Sequence, residues 1–182
     1  MAGVFSLLWG FAEGTLFFVV PDVLFTHTLL SSLRRGWAGF ALAIAGAIVA
    51  GAVMYTWSAS SPAAARHAVA GVPFLGEEII TPTERHWDEG GTVALFRNPL
   101  GGVPYKVPAI LAPAHLSLPV FLLISVPLRA ERMILSMIVF VPLSIWVHRG
   151  REATPRRRAT ARWIHAGFWT LVYSIYWSIN YS

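Results

Sequence analysis

The stretch GVFSLLWGFAEGTLFFVVPDVLFTHTLL, residues 3–30, is nearly all apolar, yet it carries Glu13, Pro21 and Asp22. On membrane-insertion scales a charge at the centre of a span costs roughly 2.5–3.5 kcal/mol, while a Leu or Phe returns only about 0.3–0.6. An apolar run that keeps two acids and a helix breaker is therefore expected to use them. A second run, LFRNPLGGVPYKVPAILA at 95–112, carries Arg97 and Lys106 and is broken by Pro99, Gly101, Gly102 and Pro104. The two broken runs thus hold opposite charges.

The whole chain fits a membrane setting. It has 182 residues, 55% hydrophobic and 13% charged, where a soluble domain carries about 25% charged. The expectation is an all-α integral membrane protein forming one domain over residues 1–182, with room for roughly four to six passes. Cysteine is absent, which excludes disulfides, thiolate metal sites and cysteine nucleophiles. Arginine outnumbers lysine thirteen to one and alanine is abundant, which suggests a GC-rich bacterial genome. A cleaved signal peptide is not expected, because no Lys or Arg precedes Arg34 and Glu13 would interrupt its apolar core.

Residues 37–57 form the cleanest span: 21 uncharged residues with Trp37, Tyr55 and Trp57 at the edges. Gly39, Ala43, Ala47 and Gly51 recur at steps of four, a small-residue face that admits close helix packing or simply reflects an Ala/Gly-rich composition. Within the polar segment 58–91, Thr81-Pro82-Thr83-Glu84 reads as a capping box, predicting a short helix over 82–89 that stops at Gly90-Gly91. Residues 117–147 place Arg129, Glu131 and Arg132 between two apolar halves. They predict one long tilted or kinked crossing with its charges turned inward, with two half-helices as the alternative. The last segment, 163–182, is read as a C-terminal transmembrane helix with aromatic residues at the interface or on a packing face.

The net charge of +5 is uneven. Arg34-Arg35 and the 149–162 loop, with six arginines, should be cytoplasmic under the positive-inside rule, and 58–91 should lie outside. Segment 3–30 must then enter and leave from the cytoplasmic side, or cross fully from an outside N-terminus. Segment 92–116 must enter and leave from the outer side. Glu13 and Asp22 are nine residues apart, which on an unbroken helix places them on opposite faces. Breaking the run at Pro21, or the second at Gly101-Gly102 with Pro104, lets two arms converge where protein or water surrounds them. The result is two units of re-entrant hairpin plus transmembrane helix in inverted orientation. The open alternatives are an ordinary first span with Asp22 at headgroup level, and an external loop over 95–112.

FAEGTLFFVVPDVLF resembles the first re-entrant motif of the DedA/VTT membrane proteins (the SNARE-associated Golgi protein family), an acid followed by a proline turn and a second acid. HWDEGGTVALFRNPLGGVPYKVPAILA resembles their second motif, and PLRAERMIL the segment that follows in the YqaA-like branch. The resemblance covers roughly residues 5–147. The second turn departs from the family, reading GGVPYK where PGxR is commoner.

The resemblance implies a transporter of the bacterial inner membrane that scrambles phospholipids or recycles polyprenyl-phosphate carriers, with proton coupling as a further expectation. Its core would be residues 3–147. Glu13 and Asp22 would be the transport and proton-exchanging acids. Arg97, Lys106 and Tyr105 would hold the phosphate, with Pro21, Pro99, Gly101, Gly102 and Pro104 supporting the turns and Arg129, Glu131 and Arg132 as secondary buried charges. Expected partners are membrane lipids with anionic or phosphate-bearing headgroups, with no nucleic acid, cofactor or metal; homo-oligomerisation is left open.

Two other classes compete. An intramembrane lipid-modifying enzyme is not supported by any GxSxG elbow or HExxH pair, and His86 near Glu84 and Asp88 reads as a solvated helix face. A non-transporting membrane anchor or assembly factor would need a binding surface, for which the 149–162 arginines are the candidate; they serve equally as a topology signal.

Overall fold

A computed structural model describes residues 2–18, 20–73, 75–96, 103–149 and 154–180. Among these the chain is helical, without strands. Eight α-helices follow in order: α1 (Ala2–Gly14), α2 (Asp22–Ser31), α3 (Leu33–Ser60), α4 (Pro62–Ala70), α5 (Glu77–Gly90), α6 (Lys106–Leu111), α7 (Leu118–Val147) and α8 (Pro155–Asn180). Short 3-10 turns at Thr92–Phe96 and Ala112–Ala114 flank the approach to α6 and its exit.

α3 and α7 are long and apolar enough to cross a bilayer. Only 39% and 28% of their most apolar windows are buried inside the fold, whereas the core helix of a soluble protein would be mostly covered. What faces outward is oily: Val49 and Val53 on α3, Leu123 and Ile138 on α7. α7 runs unbroken for 30 residues, roughly 45 Å, despite Pro127 and Pro142 within it. One continuous helix therefore replaces the alternative of two halves.

The 3–30 run does not form a single span. α1 stops after 13 residues, roughly 20 Å, and α2 spans 10, roughly 15 Å. A hydrocarbon core of about 30 Å needs some 20 residues. The break has local causes. Thr15 Oγ1 turns back to the Ala12 carbonyl at 2.8 Å, and Pro21 lacks an N–H and bars its predecessor from helical geometry. α2 then starts with Asp22 in its first turn, where a carboxylate complements the helix dipole.

Both short helices lean on the small-residue strip of α3. Ser6 lies by Gly39, Gly10 by Ala43, and Gly14 by Ala47 and Ala50, so α1 runs alongside α3 in the same direction. Phe25 lies by Gly39 and Leu29 by Gly36, so α2 runs back the other way. A Cβ on Gly46 would strike the Leu7 carbonyl, and one on Gly51 the Tyr105 hydroxyl. The strip is therefore a packing face rather than an accident of composition.

α7 returns antiparallel to α3. Phe121 stacks on Tyr55 near its start, and at its far end Ser144 Oγ donates to the Leu29 carbonyl at 2.6 Å. His148 Nε2 lies 3.3 Å from the Ser31 carbonyl, so Arg34-Arg35 and Arg149 share one end of the bundle. α8 docks through Trp169, whose indole N–H donates to Thr26 Oγ1 at 3.3 Å, and through His165 Nε2, 3.0 Å from the same oxygen.

Two expectations need correction, and a third finding concerns the C-terminal helix. The helix expected over 82–89 begins at Glu77, with Pro82 inside it. Glu77 and Glu78 supply the first-turn acids, and Arg66 on α4 clamps Glu77 and Glu84, each at 2.8 Å. Its end does fall at Gly90, where Gly91 takes the left-handed φ of 60° that favours glycine. Next, the basic 149–162 segment is largely not a loop. α8 opens inside it, because Thr154 Oγ1 accepts from the Arg157 N–H at 3.4 Å and Pro155 occupies the first helical position. Finally, the C-terminal helix spans 26 residues from Pro155 but is not among the helices apolar enough to cross on composition, since Ser, His and Tyr dilute its apolar residues.

The Arg66 clamp lies on the polar side of the fold. Its hydrogen bonds hold the Glu77 carboxyl below the ordinary value of 4.5 and push the Arg66 guanidinium up. A depressed acid contributes stability above its ordinary value and loses it as pH falls through the lowered one. Protection of the amides in the first turns of α5, taken relative to their intrinsic exchange rates, should therefore fall as pH drops below the ordinary value of 4.5, and Arg66→Ala should abolish that step while costing about 1 kcal/mol or less, as for other exposed pairs.

Candidate functional site

The two broken segments meet beside the middle of α7. Glu13, on the last turn of α1, is 2% exposed. Its carboxylate is ion-paired with Arg129: Nη2 contacts Oε2, and Nη1 lies 3.5 Å from Oε1. Arg132 Nη2 approaches Oε1 at 3.8 Å. Arg129 also lies over the Tyr105 ring, 5.2 Å from its centre, while the Tyr105 hydroxyl donates to Ser125 Oγ at 2.8 Å. Lys106, 1% exposed, donates from Nζ to the Phe17 carbonyl in the first break at 3.0 Å. That bond ties the start of α6 to the gap between α1 and α2.

Asp22 sits on the other side of this cluster, 3% exposed. Its Oδ1 accepts from Ser136 Oγ at 2.6 Å, and its Oδ2 is buried with no hydrogen-bond partner. An unsatisfied buried acceptor costs about 1–3 kcal/mol, and more for a charged group. Such a group marks either strain or a ligand.

α7 positions four of these partners by spacing alone. Ser125, Arg129, Arg132 and Ser136 are separated by four, three and four residues, so they form one polar stripe on an otherwise apolar helix. The stripe faces Tyr105, Glu13 and Asp22 in turn.

Two cavities adjoin the cluster. One, of about 400 Å³, is lined by Glu13, Asp22, Lys106, Arg132 and Ser136 at its polar end and by apolar side chains elsewhere. Phe18, Leu135, Val139 and Val172 form part of that apolar wall and are each at least a third exposed on the outer surface. The other, of about 740 Å³, lies under α5 and includes Glu78, Glu89, Arg129, Glu131 and Arg132. Arg132 borders both, and the Glu13–Arg129 pair lies in the partition between them.

The expected site residues are redistributed. Arg97, Pro99, Gly101 and Gly102 lie outside the described residues. Glu13 and Asp22 are buried close together as expected, but Lys106 bonds a backbone carbonyl rather than an acid, because Arg129 already occupies Glu13. Arg129 is thus the principal base of the cluster, not a secondary one. Tyr105 was expected to hold phosphate, yet it is 3% exposed and its hydroxyl is engaged by Ser125, so it props the Arg129 guanidinium instead. Glu131 turns to the larger cavity. Within the 95–112 run, every residue from Tyr105 to Ala112 is buried in the fold, while 97–102 lie outside the described residues. An ordinary first span does not fit, since Asp22 is buried and α1 ends at Gly14.

On α5 the His86 trio disperses. Glu84 pairs with Arg66 and Asp88 with His115, while His86 stays exposed.

Comparison with known proteins found no family model that matches the chain, and no significant match among curated proteins or solved structures.

Proposed function

We propose that the protein is a DedA-like membrane transporter that moves phosphate-bearing lipids across a bilayer. In this reading α1 and α2 form a re-entrant hairpin from the arginine-rich, cytoplasmic side of a bacterial inner membrane. α6 belongs to its inverted counterpart from the other side, and α8 is an additional membrane helix. The observation that carries the reading is the buried Glu13–Arg129 ion pair, with Lys106 and Asp22 buried and the half-buried Arg132 close by, near the middle of a helix long enough to span. Intramembrane ionisable groups are costly and are retained for transport or proton relay. The short lengths of α1 and α2, their opposite directions along α3, and the shared end of the arginine clusters support the same topology.

The chemistry follows from the cluster. A lipid phosphate entering the smaller cavity meets Arg132 and Lys106, and the planar fork of Arg129 lies just behind Glu13. Exchange of Glu13 for phosphate as the partner of Arg129 keeps every charge paired while the headgroup passes the partition. Glu13 or Asp22 accepts a proton when released, which would couple the movement to pH.

The absence of cysteine makes the topology directly testable. In spheroplasts, Ala2→Cys and Ser31→Cys should react with an impermeant thiol reagent only after the cytoplasmic face is opened, and Gly71→Cys without opening. Labelling of residues 2 and 31 from opposite faces would sink the hairpin. In liposomes the wild type should expose fluorescent inner-leaflet phospholipid to dithionite; a rate equal to protein-free vesicles would end the transport reading.

A further inference from the structure

Two apolar stripes line the smaller cavity, one on α7 and one on α8, and neither has a role in the exchange just described. On α7, Leu135 and Val139 follow Arg132 by about one and two turns; on α8, Phe168 and Val172 lie about one turn apart. Leu135, Val139 and Val172 line the cavity and are also 36%, 44% and 37% exposed, so the seam between the two helices opens to the outside of the bundle. Phe140, the next residue of α7, joins the helices by packing on Phe168 with ring centres 5.2 Å apart. Tyr173 Oη accepts from the Val20 N–H at 3.3 Å and ties α8 to the first break. Arg132 stands beside the seam. Its side chain is 28% exposed, and its carboxylate contact, Glu13 at 3.8 Å, is ion-paired with Arg129. We infer that the seam is an acyl-chain subsite: it holds the hydrocarbon tail of a lipid whose anionic head meets Arg132, and α8 is the wall that forms it.

The subsite rests on reading the cavity as a headgroup site and adds the other end of the ligand. Lipid tails are as apolar as Leu, so a chain gains little by leaving the bilayer for the seam. Selection falls to the head. A guanidinium partly removed from water makes forked, charge-assisted hydrogen bonds with phosphate oxygens. Lys106 adds a second positive charge at the same cavity, while donating to a neutral carbonyl. An apolar seam beside that head lets the lipid dock without drawing its tail across polar groups. Occupancy therefore depends on Arg132, and the place of the tail on the room beside Val172.

The test reads the position of a bound chain and not transport. The full chain is reconstituted in vesicles of uncharged digalactosyl diacylglycerol with a trace of phosphatidylglycerol that carries a diazirine on one acyl chain. After irradiation, the adducts are mapped by peptide mass spectrometry. Exposure alone favours Leu123 and Ile138, 73% and 63% exposed, over Leu135. Leu135, Val139 and Val172 should nonetheless carry label at about tenfold or more the level of Ile138, a ratio one charge-assisted hydrogen bond supports. Diacylglycerol bearing the same chain should label by exposure. Arg132→Gln should lower the seam label to the Ile138 level. Val172→Trp, which fills the seam and leaves the head site intact, should do the same at Leu135 and Val139. Labelling of the wild type that follows exposure overturns the proposal, as does seam label that survives both substitutions or is matched by diacylglycerol. Displacement of the seam label by free glycerol phosphate at equal concentration would assign the site to a soluble anion and overturn the lipid. A protein labelled in the seam that moves no lipid loses the transport reading and leaves this one standing; one that moves lipid with an unlabelled seam loses this one alone.

Discussion

Arg129→Ala should abolish lipid movement in liposomes and destabilise the protein by about 3–5 kcal/mol, the usual consequence of stranding a buried charge. The substitution leaves Glu13, 2% exposed, with only the longer 3.8 Å approach of Arg132. It also removes the guanidinium from above Tyr105. Pairing it with Glu13→Ala should return much of the thermal stability in detergent, because the orphaned carboxylate is gone, but should not return transport. That split separates a structural ion pair from a working one. Wild-type lipid movement by the single variant would remove the pair from the mechanism.

Gly46→Leu should be nearly as damaging, from a position that touches no charged group. The first atom of any side chain there strikes the Leu7 carbonyl, which is backbone and has little room to move. Overpacking of this kind costs about 1–3 kcal/mol, and the simplest relief is to push α1 off α3. Glu13 rides on α1, so transport should fall at least tenfold, given the cost of misplacing reacting groups by even an ångström. The control is Gly167→Ala on α8, where an added Cβ meets nothing; it should stabilise by about 0.5–1 kcal/mol through helix propensity. Disulfide trapping of α1 against α3 should fail in the first variant and succeed in the second.

Local rules read from the chain carried the elements well where a single strong signal acted. Residues 37–57 and 117–147 both formed long helices, Gly90-Gly91 ended α5, and Pro21 broke the first apolar run. The helix starts were harder. The Thr81–Glu84 box lost to Glu77 and Glu78, because Arg66, eleven residues upstream, anchors the earlier turn. The Thr154-Pro155 start was hidden under its arginines. The pairing of Glu13 was beyond local rules, since two acids, two bases and the α7 arginines allow many partnerships. The stripe of Ser125, Arg129, Arg132 and Ser136 was the available clue, a polar face at helical spacing with no solvent to meet it.

Glu13 leaves the ribosome 116 residues before the arginine that neutralises it. At synthesis rates of about 5–20 residues per second, that interval lasts on the order of ten seconds. Through it, neither α1 nor α2 is long enough to anchor itself, and a bare carboxylate would have to be carried into oil. On the proposed topology, the α1–α2 hairpin waits at the membrane surface or inside the insertion machinery until α3 has crossed and α7 has followed. Settling of Glu13 then runs against the order of the chain, delayed by the 116 residues that separate it from its partner.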